Sequence, residues 1–465
     1  MKPFIHLFET PKNYYFYDVN KNENVRIEHS LYEYLNIMMY DSNSFVENNL
    51  LEEKLKDLKE KGYLSDNRVK KIKHPATDSL DLYLKRKLRL LTIQLTHACN
   101  LRCSYCPYTS NDGTYRLHEN KKIDIETIKK ALIILRDNSV DSHSVTIGFY
   151  GGEPLIEFAL IKETVNYCKE IFEGKEVNYT ITTNGTLISD EILEFFEKEN
   201  FQIVISLDGP KELNDKNRKF TNSNKSVFDE VMKNIIHIRE NYEKLYKKIT
   251  MNMVIDPTQD FNKYYLLFDE YPVLNNITTR ASLVEDDYKT EKYLATEEFK
   301  NDFNYAKLLS YLHYFGEIDM DNNFYRNMFF QAINRMWEGM TKQATLGNTN
   351  CPSGPCIPGN TRLMVNVDGL LFPCERISEN IDFNCIGNVD SGFNIKKAEE
   401  IINIADTIIK SCTNCFAFRY CNLCVQAHEC KLRDEDHIKD KCKNVRYNFH
   451  NELVGKEIIN EIIIN

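Results

Sequence analysis

The chain has 465 residues, 59 Lys and Arg against 69 Asp and Glu, and a formal net charge of -10. That balance excludes a general binder of nucleic acid or of anionic membranes, since both select clustered Lys and Arg. No apolar run reaches the ~18 residues of a membrane span, and Met1 to Thr10 lacks the basic and then apolar pattern of a signal peptide.

A cytoplasmic protein with no nucleic-acid or membrane partner is therefore expected. Its fourteen cysteines, in a reducing compartment, point to metal ligation rather than to disulfides.

Asn13 to Val19 alternates through Tyr15 and Tyr17, Asn20 to Asn24 is a polar turn, and Val25 to Glu28 alternates again, which predicts a hairpin. Leu31, Leu35 and Met38 share one helical face and Leu51, Leu55 and Leu58 another, with Gly62 as a stop. A hairpin with two short helices suggests a small winged-helix domain over residues 1–70. Ten Lys and Arg against twelve Asp and Glu in that stretch disfavour DNA. Residues 71–88, with Pro75 and the basic Lys85, Arg86 and Lys87, read as a linker.

An apolar run, Leu91 to Leu95, then ends in Thr96-His97-Ala98-Cys99-Asn100-Leu101-Arg102-Cys103-Ser104-Tyr105-Cys106. Three thiolates on one short loop can hold three irons of a 4Fe-4S cubane and leave the fourth iron open to an outside ligand. A zinc knuckle or buried structural cysteines are the alternative, but no second ligand pair follows closely. The stretch resembles the C-x-x-x-C-x-aromatic-C signature of the radical S-adenosylmethionine (radical SAM) superfamily, with Tyr105 at the aromatic position. The resemblance implies that Cys99, Cys103 and Cys106 hold a cluster whose open iron takes SAM and delivers one electron to its sulfonium, releasing a 5'-deoxyadenosyl radical.

Strands and helices alternate from here. A helix is expected from about Asp124, with strands at Val145 to Tyr150, Val177 to Thr183, Gln202 to Leu207, Ile249 to Ile255 and Ile277 to Leu283. With the Leu91 to Leu95 run as the first, six strands imply a parallel sheet, a partial (β/α)6 barrel over about 85–300, with its site at the strand C-terminal ends. Those ends carry Gly151-Gly152-Glu153-Pro154, Thr183-Asn184-Gly185 and Ser206-Leu207-Asp208-Gly209. The first resembles the family's GGE motif, which binds the SAM amino group through Gly151, Gly152 and Glu153. Asn184, Ser206 and Asp208 resemble its ribose and methionine contacts. Arg218 is a candidate partner for the SAM carboxylate, or else a solvated charge at a helix end.

Residues 301–344 read as a helical connector. Over 345–450, Cys351, Cys356 and Cys374, with Gly369, precede Cys412, Cys415, Cys421, Cys424, Cys430 and Cys442. This pattern resembles the SPASM domain, which holds two auxiliary 4Fe-4S clusters, although the Cys421 to Cys424 gap is one residue short of the usual. The resemblance implies that Cys351, Cys356, Cys374 and Cys424 ligate the first auxiliary cluster and Cys412, Cys415, Cys421 and Cys442 the second, with Cys430 an alternative to Cys424. Cys168 reads as core, and Cys385 has no assigned role.

Taken together, the chain resembles radical SAM/SPASM maturases of ribosomally made, cysteine-rich peptides. It is an α/β protein expected to have an amino-terminal element that captures a leader peptide as an added strand. SAM, three 4Fe-4S clusters and an electron donor such as flavodoxin or ferredoxin are implied. The expected product is a thioether from cysteine to a carbon of another residue. Carbon-carbon or carbon-oxygen crosslinking, sulfatase-type maturation with Glu375 as base, and a redox-sensing winged-helix regulator are the alternatives.

Overall fold

The computed structural model describes residues 2–41, 48–109, 116–285, 293–320, 323–429 and 435–463. The chain opens with β1 (Ile5–Glu9), β2 (Tyr14–Asp18), β3 (Glu23–Ile27), α1 (His29–Tyr40), α2 (Asn49–Glu60), β4 (Lys71–Ile72) and α3 (Leu80–Arg86). The alternating region follows: β5 (Leu90–Thr96), α4 (Ile125–Asp137), β6 (Ser144–Gly151), α5 (Phe158–Ile171), β7 (Glu176–Thr183), α6 (Asp190–Lys198) and β8 (Gln202–Ser206). It continues through α7 (Lys211–Asn217), α8 (Val227–Asn241), α9 (Glu243–Tyr246), β9 (Ile249–Ile255), α10 (Asn262–Glu270) and β10 (Thr278–Leu283). Then come α11 (Glu297–Tyr314), α12 (Asn323–Trp337), β11 (Thr349–Asn350), β12 (Leu363–Val365), β13 (Leu370–Phe372), β14 (Gly387–Asn388) and β15 (Gly392–Phe393). The last helices are α13 (Ile395–Ile402), α14 (Ile409–Cys412), α15 (Val425–Glu429) and α16 (Glu435–Ile463). No helix among the described residues is long and apolar enough to cross a membrane.

Two units, interleaved along the chain, cut across the linear segments expected from the sequence. The first collects Met1–Asp78, Phe330–Cys356 and Glu400–Asn465; the second collects Ser79–Phe329 and Ile357–Glu399.

In the first unit an antiparallel sheet runs β1-β2-β3. Its aromatic content follows from burial on both faces. Ile5, Leu7 and Phe16 pack with Leu31, Leu35 and Leu55 of α1 and α2. By the strand's period of two, Tyr15 and Tyr17 turn the other way, into a core with Cys412, Phe418, Tyr420, Phe449 and Leu453. Helix α2 is capped by Asn48, whose Oδ1 accepts from the Leu50 and Leu51 amides.

The sequence reading found β2 and β3 but missed β1, a nearly continuous apolar run with no turn before it. The linker reading of 71–88 is also corrected. Lys71–Ile72 pairs in parallel with Thr349–Asn350, and Leu80–Arg86 is helical.

The second unit is built on a ten-stranded sheet ordered β10-β9-β8-β7-β6-β5-β12-β13-β14-β15. Strands β5 to β10 are parallel, as the alternation predicted. Leu91, Ile93 and Leu95 on one face of β5 and Thr92, Gln94 and Thr96 on the other are all buried, as expected for a strand covered on both faces. β12 adds to the free side of β5, Leu363 opposite Leu91, so a segment of the expected cysteine-rich domain continues the barrel sheet. Asp124 caps α4 by accepting from the Thr127 amide, and Cys168 is buried on α5, as its apolar stripe predicted.

Candidate active site and cysteine cavity

The Cys99–Cys106 loop leaves the C-terminal end of β5 and is clamped from two sides. On one side the Gly152 amide donates to Thr96 O (2.7 Å) and the Glu153 amide to Ala98 O (2.9 Å). On the other, the Arg102, Ser104 and Thr221 amides bond with Lys219 O, Asn217 O and Asn100 O.

The paired glycines make the first clamp sterically feasible. A Cβ on Gly152 would stand 2.2 Å from Ala98 O, and one on Gly151, at φ +141°, 2.4 Å from Thr96 O. Their small size thus serves the approach of the cysteine loop, whereas the sequence reading assigned it to a ligand's approach.

Glu153 is fully buried. Its carboxylate accepts from the Leu155 amide (3.0 Å), the Thr183 hydroxyl (2.7 Å) and the Asn184 amide (2.7 Å). Burial pushes its carboxyl up to about 7, against those three hydrogen bonds and Arg218, which favour the charged form. A carboxylate offers about four acceptor positions, and three are filled by protein.

Asp208 differs. Its four positions take Arg218 Nε (2.8 Å), Arg218 Nη2 (3.0 Å), the Val254 amide (3.1 Å) and the Tyr105 hydroxyl. Asp208 therefore supports the cysteine loop through Tyr105, and no acceptor position is left for a ribose. Arg218, at 7% exposure, is no solvated helix-end charge. Its forked edge is spent on Asp208, and Nη1 stands 4.0 Å from Cys103 Sγ.

Asn184 also serves the loop, since its Nδ2 donates to Asn100 Oδ1 at 2.8 Å while its Oδ1 accepts from Thr186. Ser206 ends β8 half-buried, opposite Asn252 of β9.

Burial raises the Cys99 thiol to about 11 and the Cys103 thiol as well, and Cys106 lies within electrostatic reach of both. Metal binding would have to release those protons. Among the described residues no three His, Cys, Asp or Glu side chains are arranged around a single ion. A mononuclear centre needs ligands converging to ~2.3 Å of one metal, whereas cubane thiolates each bind a different iron. All three cysteines stand outside any disulfide on one clamped loop, and this donor set suits the cluster.

The sequence missed a buried network beside this loop. Gln94 Nε2 donates to the Tyr108 hydroxyl (2.8 Å) and to Glu379 (2.7 Å), and Arg116 pairs with Glu379 and donates to Glu375 O (2.9 Å). Residues 263 positions apart leave no local pattern by which to pair them. Glu375 accepts from Arg362 through Oε1 (2.7 Å), while its Oε2 is buried with no hydrogen-bond partner among the described residues. Tyr150, next to the glycine pair, is raised to about 12 by burial, then by Glu375, Cys106 and Glu379 against Arg116.

In the first unit, Cys412, Cys415, Cys421 and Cys442 line one cavity. Arg446 lines it too; its place one helical turn after Cys442 was a signal in the sequence that went unused. Ser353 Oγ and the Gly354 amide both donate to Cys421 O, which lays the Cys351–Cys356 segment along Cys421–Cys424. Cys356 and Cys424 are in electrostatic contact there. Cys374 belongs to the second unit, after β13. Cys430 lies outside the described residues.

Residues 93–267 match the sequence profile of the radical SAM superfamily. An uncharacterised protein of Methanocaldococcus jannaschii is 32% identical over 39% of this chain and 59% of its own length. A cysteine-type anaerobic sulfatase-maturating enzyme of Clostridium novyi is 28% identical over 62% of this chain and 74% of its own. The radical SAM cyclopropyl synthase TigE of Paramaledivibacter caminithermalis is 22% identical over 87% and 84%. The solved structure of anSMEcpe with bound AdoMet and Cp18Cys peptide aligns with a TM-score of 0.58 and 20% identity, over 81% of this chain and 99% of that one; this likeness is one of fold. With its three-cysteine loop and glycine pair at the ends of parallel strands, the chain carries a radical SAM domain, in a fold shared with SPASM-bearing radical SAM enzymes.

Proposed function

We propose that this chain is a radical SAM maturase of a ribosomally made peptide, and that it joins a substrate cysteine sulfur to a carbon of another residue as a thioether. The observation that carries the reading is the clamped Cys99–Cys106 loop beside Glu153, whose carboxylate keeps one acceptor position for an ammonium group. The sulfatase-maturating relative and the peptide bound in the anSMEcpe structure support a peptide substrate.

Cys99, Cys103 and Cys106 hold the cluster, and Glu153 and Ser206 orient SAM. When bound, the cluster and SAM supply an oxidant able to take hydrogen from an unactivated C-H bond. Tyr105, Asn184, Asp208 and Arg218 keep the loop in position. Cys412, Cys415, Cys421 and Cys442 hold a second cluster, and Cys351, Cys356 and Cys424 belong to a third. The precursor's leader adds along β3, an edge of the β1-β2-β3 sheet, where Lys12, Tyr14, Arg26 and His29 line a shallow cleft. Flavodoxin or ferredoxin supplies electrons, and the protein works in the cytoplasm.

Forming one thioether removes an S-H and a C-H hydrogen. Bound SAM would supply the adenosyl group that takes the carbon's hydrogen, and a cluster held by Cys412, Cys415, Cys421 and Cys442 would supply an acceptor for the electron left when the sulfur gives up its proton. The test is incubation of enzyme, SAM and reductant with the precursor, then alkylation under reducing conditions and mass spectrometry. Loss of two hydrogens with one cysteine resistant to alkylation is expected. Loss of two hydrogens with every cysteine alkylated replaces the thioether with a carbon-carbon or carbon-oxygen link.

A second reading is sulfatase-type maturation of a single Cys or Ser, after the cysteine-type and serine-type anaerobic sulfatase-maturating enzymes of Clostridium novyi and Bacteroides thetaiotaomicron. It is favoured by Glu375, whose buried Oε2, unpartnered among the described residues, is suited to accept a proton. A new aldehyde in the product would select it, formed from Ser by loss of two hydrogens or from Cys by loss of two hydrogens and exchange of the sulfur for an oxygen of water.

A further inference from the structure

The cavity bearing Cys412, Cys415, Cys421 and Cys442 has a mostly apolar wall, built from Ala405, Ile408, Phe418, Leu423 and Val445 among others. Among its described lining residues Arg446 is the one Lys, Arg, Asp or Glu. Helical periodicity brings Arg446 to the face of α16 that carries Cys442. Its guanidinium hydrogen-bonds Cys415 and acts electrostatically on Cys421 and Cys442. The other titratable lining group, His428, has its Nδ1 on Cys424 O at 2.9 Å.

A cubane closed by four thiolates is anionic and gains a further negative charge on reduction. Holding such a group against apolar walls is costly unless a counter-charge is fixed nearby. A guanidinium is suited to this, because it stays protonated at any working pH and presents several donors in a fixed plane. Hydrogen bonds to cluster sulfurs and local charge are established means by which a protein sets a cluster's potential.

We propose that Arg446 is the counter-ion of an iron–sulfur cluster held by Cys412, Cys415, Cys421 and Cys442, donating to the Cys415 sulfur and raising that cluster's reduction potential. The inference rests on the assignment of those four cysteines as cluster ligands. Arg446 acts through the cluster and is a positioning residue rather than a catalytic one. It favours the reduced state because the added electron increases the charge it faces. This suits a cluster that must take an electron from the substrate.

The test uses the full-length protein, reconstituted anaerobically, as wild type, Arg446→Met and Arg446→Lys, with iron content and an EPR-monitored redox titration. Arg446→Met is expected to disfavour reduction of one auxiliary cluster at least tenfold, about 59 mV for a one-electron couple. Arg446→Lys, which keeps the charge, should stay nearer the wild type. Loss of that cluster in Arg446→Met but not in Arg446→Lys supports the proposal equally. An unchanged potential in Arg446→Met overturns it, as does equal loss of the cluster in both variants, which would make the role one of packing. A Cys412→Ala/Cys415→Ala protein with unchanged iron and spectra overturns the cluster assignment itself, and the proposal with it.

Discussion

Arg218 meets Asp208 through two parallel hydrogen bonds, Nε to Oδ2 at 2.8 Å and Nη2 to Oδ1 at 3.0 Å, with both side chains buried. The same carboxylate receives the Tyr105 hydroxyl from the cysteine loop. Asp208→Ala strands a buried guanidinium and should cost roughly 3–5 kcal/mol, read by urea denaturation. The Asp208→Leu/Arg218→Met pair should cost less, because neither charge is then left alone. Equal losses in the two proteins would show that the ion pair is not what matters there.

Gly152→Ala forces a methyl to 2.2 Å from Ala98 O, a backbone atom that cannot swing aside. Gly148→Ala, on the preceding strand β6, meets nothing nearer than 3.4 Å. Iron content and SAM cleavage after reconstitution should fall sharply in the first and persist in the second. Full activity of Gly152→Ala would contradict the glycine's part in seating the loop.

Deleting residues 1–70 does more than remove a docking module. Tyr15 and Tyr17 share a core with Cys412, Phe418 and Tyr420, Arg419 donates to Val19 O and Asn20 O, and Glu461 of α16 accepts from Thr10, Asn13 and Tyr15. The truncated protein should therefore lose iron as well as peptide modification. Iron analysis beside a peptide-turnover assay checks this, and a truncated protein with its full iron complement would refute it.

His6 stacks on Phe416 at 3.6 Å between ring centroids and bonds His450 at 2.9 Å. Burial, then His450, lowers its pKa from 6.5 to about 3, and burial lowers that of His450 too. Each folded value lies below its unfolded one, so the unfolded chain binds more protons in that window. The contribution of His6 to stability is full above about pH 6.5 and is lost as pH falls toward 3, by up to ~1.4 kcal/mol per pH unit, and that of His450 falls in the same direction. His6→Phe keeps the stacking and removes one titration, so its stability should fall less steeply between pH 7 and pH 5. Denaturant midpoints at those two values measure it; identical slopes would discount His6.

The sequence by itself determined what depends on short spacing. Cys99, Cys103 and Cys106 stand on one loop because two or three residues separate them, and β5 to β10 announce themselves by apolar runs alternating with helical stripes. Gly151-Gly152-Glu153 was legible as a strand-end motif for the same reason. The tertiary structure decided what these residues face. It turned Gly151 and Gly152 toward the cysteine loop, spent Asp208 on Tyr105, Arg218 and Val254, and joined Gln94, Arg116 and Glu379 across the chain. It also gathered the amino-terminal sheet and α16 into one unit with the distal cysteines. The physical reason is that periodicity and turn chemistry act over a few residues, whereas the pairing of a buried charge is settled only when distant segments close around it and exclude water.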